Sequence, residues 1–330
     1  MKIVQFGDFG PPGQVASWIE TDEPESPGNG EVLVEVEAFP INPVDLLIIS
    51  GNYASKPPLP AIPGSEGVGR VVEVGPSVEH VGAGDRVLLM GRENWVQRKL
   101  VPGEQLIKLP SGADIAQLAM LKINPATARL MLRNYVDLGP GDWVIQDAAN
   151  SGVGNYLIRL AAAEGLRTVN VVRRKELIAP LKEMGGDVVL IDGKDLPQRI
   201  AAATGNAEIR LAIDAVAGDI CDRLAASLAE GGTIVNYGLL SGNPCAVSPL
   251  NVVFRGITLT GFWLVKALGA MAREDIRSLY DKLVEQLVEG VLHVEIEKAY
   301  PIEDIKTALE HAGRESRNGK ILVMPNGPVG

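Results

Sequence analysis

The stretch Val144 to Gly165, V-I-Q-D-A-A-N-S-G-V-G-N-Y-L-I-R-L-A-A-A-E-G, constrains this chain more than any other. An apolar strand (Trp143 to Ile145) runs into a loop of small residues, and a helix begins at once. Val153, Leu157, Leu160, Ala161 and Glu164 then recur at helical spacing, so one stripe is mostly apolar. Strand, small-residue turn and helix together aim free backbone N–H groups and the positive helix end at a bound phosphate. Read against G-x-G-x-x-G, the turn is Ala149-Asn150-Ser151-Gly152-Val153-Gly154, with Ala and Ser in place of the first two glycines. An ordinary tight turn would read the same in isolation. Context favours a dinucleotide site, because the turn opens a run of six strand candidates. Gly154 allows close helix–strand packing, and Ser151 is small enough for a pyrophosphate to approach.

The next strand supplies a second observation. NAD-binding units place Asp or Glu at its end, about 20 residues on, to bind a ribose 2′-hydroxyl. Here V-N-V-V ends in Arg173-Arg174-Lys175. A carboxylate would repel a 2′-phosphate, whereas guanidinium groups hold one, so the pattern points to NADP rather than NAD. A solvated basic turn is the alternative, although basic residues in a first helical turn oppose the helix dipole.

Around this unit the chain changes character once. Residues 1–120 read as β-rich: Glu31 to Ala38, Gly67 to Gly75, Gly82 to Met90 and Trp95 to Val101 are strand candidates between glycine and proline turns. In the first, Val32, Val34 and Val36 share one face and Glu35 and Glu37 the other. No helix pattern is sustained before about Ile115, and many short strands with glycine corners suggest a partly closed β-barrel. Beyond Ile115, strands alternate with helices, from Thr168 to Val172 through to Thr258 to Leu264, which predicts a doubly wound α/β sheet. The expected division is 1–120 with 299–330 for the first domain and 121–298 for the second.

Composition excludes several classes. A net charge of −10 argues against nucleic acid, and no apolar run approaches the ~18 residues of a membrane span. The N-terminal M-K-I-V-Q-F reads as neither signal nor transit peptide, which leads to the expectation of a cytoplasmic protein. Cys221 and Cys245 are the only cysteines; neither lies in a ligand spacing, and the expectation is of no metal.

With barrel-like half, cofactor unit and returning tail, the chain resembles the medium-chain dehydrogenase/reductase superfamily over its full length. Where zinc members carry G-H-E and an earlier ligand cysteine, this sequence has Gly64-Ser65-Glu66 and I-N-P-V-D at Ile41 to Asp45. Ser65 replaces the histidine and Asn42 the cysteine, so the resemblance is to zinc-free members. Within them it is similar to the 2-enoyl thioester reductases of the mitochondrial type. The carrying segments are I-N-P-V-D…G-N-Y (Ile41 to Tyr53), I-N-P-A-T-A (Ile123 to Ala128), N-S-G-V-G (Asn150 to Gly154), N-V-V-R (Asn170 to Arg173), G-G-T-I-V-N-Y-G (Gly231 to Gly238) and G-F-W-L (Gly261 to Leu264). Val44 departs from the family's usual serine. The Met90 to Trp95 loop is shorter than usual, which bears on acyl-chain length more than on reaction type.

The resemblance implies a GroES-like catalytic domain, a Rossmann cofactor domain and NADPH-dependent reduction of trans-2-enoyl thioesters of CoA or acyl-carrier protein. A quinone or 2-alkenal reductase is the alternative. It makes Tyr53 the proton donor, a role suited to a phenol, whose pKa near ~10 keeps it protonated at neutral pH; a loop aromatic packed on prolines is the other reading. Asn124 would lie near the nicotinamide ribose or cap a helix before Pro125. Asn150, Ser151, Gly152, Val153 and Gly154 would hold the pyrophosphate, and Arg173, Arg174 and Lys175 the 2′-phosphate. Tyr237, Gly238, Leu239 and Leu240, with Phe262, Trp263 and Leu264, would line the cofactor, the last three being equally suited to strand core or dimer contact. Lys320 matches a cofactor-contacting lysine or is an exposed strand-end lysine. Asp45 and Glu66 read as structural, and a homodimer is implied.

Overall fold

The computed structural model describes residues 1–314, 317 and 319–328, which fall into two compact units, Met1–Ile123 with Arg277–Gly330 and Asn124–Ile276. Glu315, Ser316, Asn318, Val329 and Gly330, at the C-terminal end of the expected 299–330 segment, lie outside the described residues. The chain returns to the first unit at Arg277 rather than near 299. The reason is in the helix Arg273–Val288: Tyr280 and Leu283 are fully buried, and the Tyr280 hydroxyl donates to the Lys122 carbonyl at 2.8 Å. Among the described residues no helix is long and apolar enough to cross a membrane.

In the second unit, six parallel strands form one sheet. Their order across it is Val188–Ile191, Arg167–Val172, Trp143–Gln146, Ile209–Asp214, Thr233–Asn236, Thr258–Gly261. Numbered along the chain this is 3-2-1-4-5-6, the doubly wound order. Strands such as Trp143–Gln146 are buried at every position because helices cover both faces. The helix Gly152–Ala163 presents Val153, Tyr156, Leu157, Ile158, Leu160 and Ala161 to this core. Leu157, Ile158 and Leu160 have no exposed surface, so each contributes about 1.5–3 kcal/mol of burial. Glu164 falls just past the helix end and leaves the expected apolar stripe, its carboxylate pairing with Arg129 and Arg133.

The last strand is shorter than the sequence suggests. It stops at Gly261, and Leu264–Gly269 is helical. The ladder survives one step further, as the Phe262 N–H donates to the Asn236 carbonyl at 2.8 Å.

The first unit is built on Glu31–Pro40, which pairs antiparallel with Val68–Val74, Arg98–Pro102 and Lys320–Met324. Arg86–Leu89, Leu106–Leu109 and Ile296–Pro301 extend the seven-stranded sheet. Val32, Val34 and Val36 are fully buried, as their alternation predicts. Glu37 is not on a solvated face, however: it is buried between Arg86 (2.7 Å) and Arg70 (3.0 Å), which offset the cost of its burial. A helix also forms well before Ile115, at Pro43–Ile49. Pro43 suits a first helical turn, and the Asn42 N–H donates to Asp45 Oδ2 at 2.9 Å. Local capping thus makes a helix too short for periodicity to reveal.

Candidate cofactor turn and a buried polar cluster

At the turn of the second unit, Ala148 adopts a left-handed φ of 42°, and the chain reverses before the helix. Ser151 stays extended and caps it, its Oγ accepting from the Gly154 N–H at 3.1 Å. The N–H groups of Gly152 and Val153 head the helix without intrahelical acceptors, free for an anion. Gly154 is required by contact: a Cβ there would lie 2.5 Å from the Ala149 carbonyl oxygen and 2.7 Å from its carbon. Asn150 is exposed beside them.

The turn sits where the strand order reverses, between Trp143–Gln146 and Ile209–Asp214, the position at which such sheets bind ligands. Each strand delivers a buried carboxyl to this edge. Asp147 Oδ1 accepts from the Ala215 N–H at 2.7 Å, while Oδ2 meets no N–H or hydroxyl donor. Burial and the adjoining Asp214 carboxylate push Asp147 well above the ordinary range. Burial acts on Asp214 too, but hydrogen bonds from Asp147, the Ala217 amide, Cys221 and Asn236 outweigh it and leave its pKa lowered. The pair shares a proton, held by Asp147. In the sequence, the signal for this pair is an acidic residue at the end of each of two apolar strands, Asp147 and Asp214.

Several expected cofactor residues gather here. Burial raises the pKa of the Tyr237 hydroxyl, which hydrogen-bonds Ser151. Gly238 packs so tightly that a Cβ would lie 2.5 Å from the Ala215 carbonyl oxygen. Leu239 and Leu240 are exposed, Phe262 is buried, Leu264 is partly buried and Trp263 is 43% exposed. Arg173 and Lys175 are exposed past the end of Arg167–Val172. Arg174 approaches Glu176 at 3.5 Å through Nη1, and its buried Nη2 has no partner. Asn124 is buried at the start of the helix Asn124–Asn134.

Tyr53 and Lys320 belong to the first unit. Tyr53 follows the helix Pro43–Ile49 and is half-buried against the unit's core. A cleft of about 250 Å³ in this unit is lined by Ile48, Ser55, Lys56, Ile62, Ser65 and Arg92, among others. Lys320 is not an exposed strand-end lysine; it is buried and its Nζ donates to Asn42 Oδ1.

Asn42 in turn donates through Nδ2 to Glu66 Oε1 at 2.6 Å, and Glu66 Oε2 accepts from the Ile123 N–H at 2.9 Å. Ser65 donates through both N–H and Oγ to Asp45 Oδ1, at 2.9 and 2.6 Å. Lys122, unnoticed in the sequence, is buried with Nζ on the carbonyls of Ser65 (2.5 Å) and Gly91 (2.7 Å). Two carboxyls and two ammonium groups thus share one dry cluster. Burial raises the pKa of Asp45 and Glu66 and pushes Lys122 and Lys320 down to about 8, the nearby opposite charges restraining each shift. Asn42 and Ser65, where the resemblance sets the ligands of the zinc members, are both hydrogen-bonded to carboxylates.

Comparison with known proteins agrees with this architecture. Residues 28–110 match the alcohol dehydrogenase GroES-like domain and residues 152–285 the zinc-binding dehydrogenase family. The human mitochondrial enoyl-acyl-carrier-protein reductase is 35% identical over 98% of this chain and 89% of its own length. The Etr1p/NADP/crotonyl-CoA complex aligns with a TM-score of 0.88 at 27% identity, covering 98% of this chain and 99% of the other. Escherichia coli quinone oxidoreductase complexed with NADPH aligns with a TM-score of 0.88 at 26% identity, over 98% and 100%. The chain belongs to the medium-chain dehydrogenase/reductase superfamily and, within it, to the family of the mitochondrial-type enoyl-acyl-carrier-protein reductases.

Proposed function

We propose that this protein reduces the 2,3-double bond of trans-2-enoyl thioesters with NADPH. The observation that carries the reading is the full-length likeness to a reductase solved with both NADP and crotonyl-CoA. The residues of the turn fit the cofactor. The closeness of Gly154 to Ala149 keeps the helix start against the strand, and the unpartnered Arg174 Nη2 suits a 2′-phosphate. Gly152 and Val153 hold the pyrophosphate through backbone N–H groups beside Asn150 and Ser151, whose own N–H is tied to the Ala148 carbonyl at 2.8 Å. Arg173, Arg174 and Lys175 hold the 2′-phosphate. Asn124, Tyr237 to Leu240 and Phe262 to Leu264 line the remainder. We assign Lys320 to supporting Asn42 and Glu66, to which its ammonium is tied.

When bound, NADPH supplies the hydride that reaches the β-carbon. Tyr53 delivers its phenolic proton to the α-carbon and is reprotonated from solvent. The buried cluster of Asp45, Glu66, Lys122 and Lys320 holds the Asn42 and Ser65 segments rigid around it. Asp147 and Asp214 hold the loop after Ile209–Asp214, next to the turn, through the Ala215 and Ala217 amides. We also propose that two copies pair edge to edge along Thr258–Gly261. Support comes from its place at the sheet edge and from the exposed apolar residues Leu250, Val253, Phe254, Leu259 and Trp263 around it.

A quinone or 2-alkenal reductase is the second reading, favoured by the equal likeness to the quinone oxidoreductase. NADPH oxidation measured with crotonyl-CoA, a longer trans-2-enoyl-CoA, a naphthoquinone and 2-hexenal separates them. The expected result is turnover on the thioesters well above that on the other two, lost in large part in Tyr53→Phe with NADPH affinity retained. Preference for the quinone, with Tyr53→Phe near normal, would favour the second reading.

A further inference from the structure

We propose that Asp214, Cys221 and Cys245 form a binding site for one thiophilic divalent cation, of the zinc(II) type, at the carboxyl edge of the six-stranded sheet. The three residues are far apart in sequence and come from three elements: the end of Ile209–Asp214, the first turn of the helix Ile220–Ser227, and the segment that follows Thr233–Asn236. Cys221 Sγ lies 3.1 Å from Asp214 Oδ2 and Cys245 Sγ 4.0 Å from the same oxygen, and all three donor atoms lie within 4.8 Å of one another. Among the described residues no other group of His, Cys, Asp and Glu converges in this way.

The donor set is two sulfurs and one carboxylate oxygen, which suits zinc better than magnesium or calcium. With Zn–S near 2.3 Å and Zn–O near 2.0–2.2 Å, tetrahedral donors stand roughly 3.4–3.8 Å apart. The Cys221–Asp214 contact must therefore open by roughly 0.4 Å and the two distances to Cys245 close by about 1 Å at most. Its segment is anchored on both sides, by Ser241 N–H to the Val216 carbonyl at 2.9 Å and by Ala246 N–H to the Gly218 carbonyl at 3.3 Å. Cys221 is fully buried whereas Cys245 is partly exposed, which gives an ion an entry and a water the fourth position.

The carboxylate is already oriented for the task. Asp214 Oδ1 accepts from the Val216 and Ala217 N–H groups, each at 2.9 Å, and Oδ2 accepts from Asn236 Nδ2 at 2.8 Å and from the Cys221 thiol. A metal ion takes the lone pair that the thiol now occupies, and the amides remain as outer support. Charge balances as well. One divalent cation enters and two thiol protons leave to solvent, so the buried site keeps its net charge.

The test uses the full-length protein, kept reduced and freed of metal, titrated with cobalt(II) and then with zinc(II). The expected result is one cobalt per chain with a thiolate-to-cobalt charge-transfer band and tetrahedral visible bands, displaced by one equivalent of zinc with release of two protons. Cys245→Ser, at the partly exposed position, should weaken zinc by at least about tenfold and reduce the charge-transfer band, with an unchanged circular dichroism spectrum. Absence of the band in the wild-type protein would overturn the proposal without recourse to any variant. So would unchanged affinity in Cys245→Ser. A Cys221–Cys245 disulfide formed without reductant, together with no cobalt binding after reduction, would likewise overturn it and make the pair a redox couple instead.

Discussion

Gly154→Ala tests the cofactor turn at its tightest point. The new methyl would stand 2.5 Å from the Ala149 carbonyl oxygen, 2.7 Å from its carbon and 2.8 Å from its Cα. All three are backbone atoms, so no side chain can rotate away. Restoring ordinary contact near ~3.4 Å means separating helix and turn by roughly 0.9 Å, in the range where overpacking costs about 1–3 kcal/mol. Alanine recovers up to about 1 kcal/mol of helix propensity. Repacking between two backbones falls toward the upper end of its range, so the clash wins and the net loss is about 1–2 kcal/mol. The same displacement moves the N–H groups of Gly152 and Val153 away from the pyrophosphate, which should weaken NADPH by tenfold or more, about 1.4 kcal/mol. Urea unfolding gives the first quantity and a fluorescence titration with NADPH the second. A variant as stable as wild type that binds NADPH equally well would refute the packing argument and the assignment of the turn together.

Three further outcomes follow from the geometry. Arg173→Ala should weaken NADPH by about 10–100-fold, the worth of a lost charge-assisted bond, and leave NADH unchanged in the same titration; an equal loss for both would remove the 2′-phosphate role. For Lys320 the sign follows from burial, which pushes its pKa from 10.5 down to about 8. Between those values the unfolded chain keeps a proton that the folded chain has released, so stability rises with pH there. Lys320→Met lacks that gain, so in urea unfolding the stability of wild type minus that of the variant should rise by up to about 3 kcal/mol from pH 8 to 10.5; a difference that falls over that range contradicts it. Phe254, 75% exposed, lies near the edge strand, and Phe254→Asp should shift a dimer to monomer in light scattering, with an unchanged dimer refuting the proposed interface.

The alternation of strand and helix in the second unit was legible because each strand is buried on both faces and each helix carries an apolar stripe. Periodicity is a direct consequence of burial, so it survives in the sequence. The helix Pro43–Ile49 was not legible, since its seven residues span only two turns and its signal lies in capping, not period. The surroundings of Glu37 are hidden for a related reason: alternation assigns a face, but only the fold brings Arg86 to it, 49 residues away. The polar cluster was hidden most completely. Lys320 meets Asn42 across 278 residues and Lys122 meets Ser65 across 57, and no local pattern encodes such pairings. Cys221 and Cys245 show the same limit, since no ligand spacing links residues that three separate elements carry to Asp214. Tyr53 stood out by resemblance alone; its half-buried position carries no mark of chemistry by itself.

In the proposed reaction hydride reaches the β-carbon, and a solvent-derived proton, passed through Tyr53, reaches the α-carbon of an enoyl thioester. Reduction of a trans-2-enoyl-CoA with NADPH deuterated at the transferred position, and separately with ordinary NADPH in deuterated water, measures this directly. Deuterium is expected at C3 of the saturated thioester in the first case and at C2 in the second. Cofactor deuterium at C2, or no saturated thioester while a quinone is reduced under the same conditions, would contradict it.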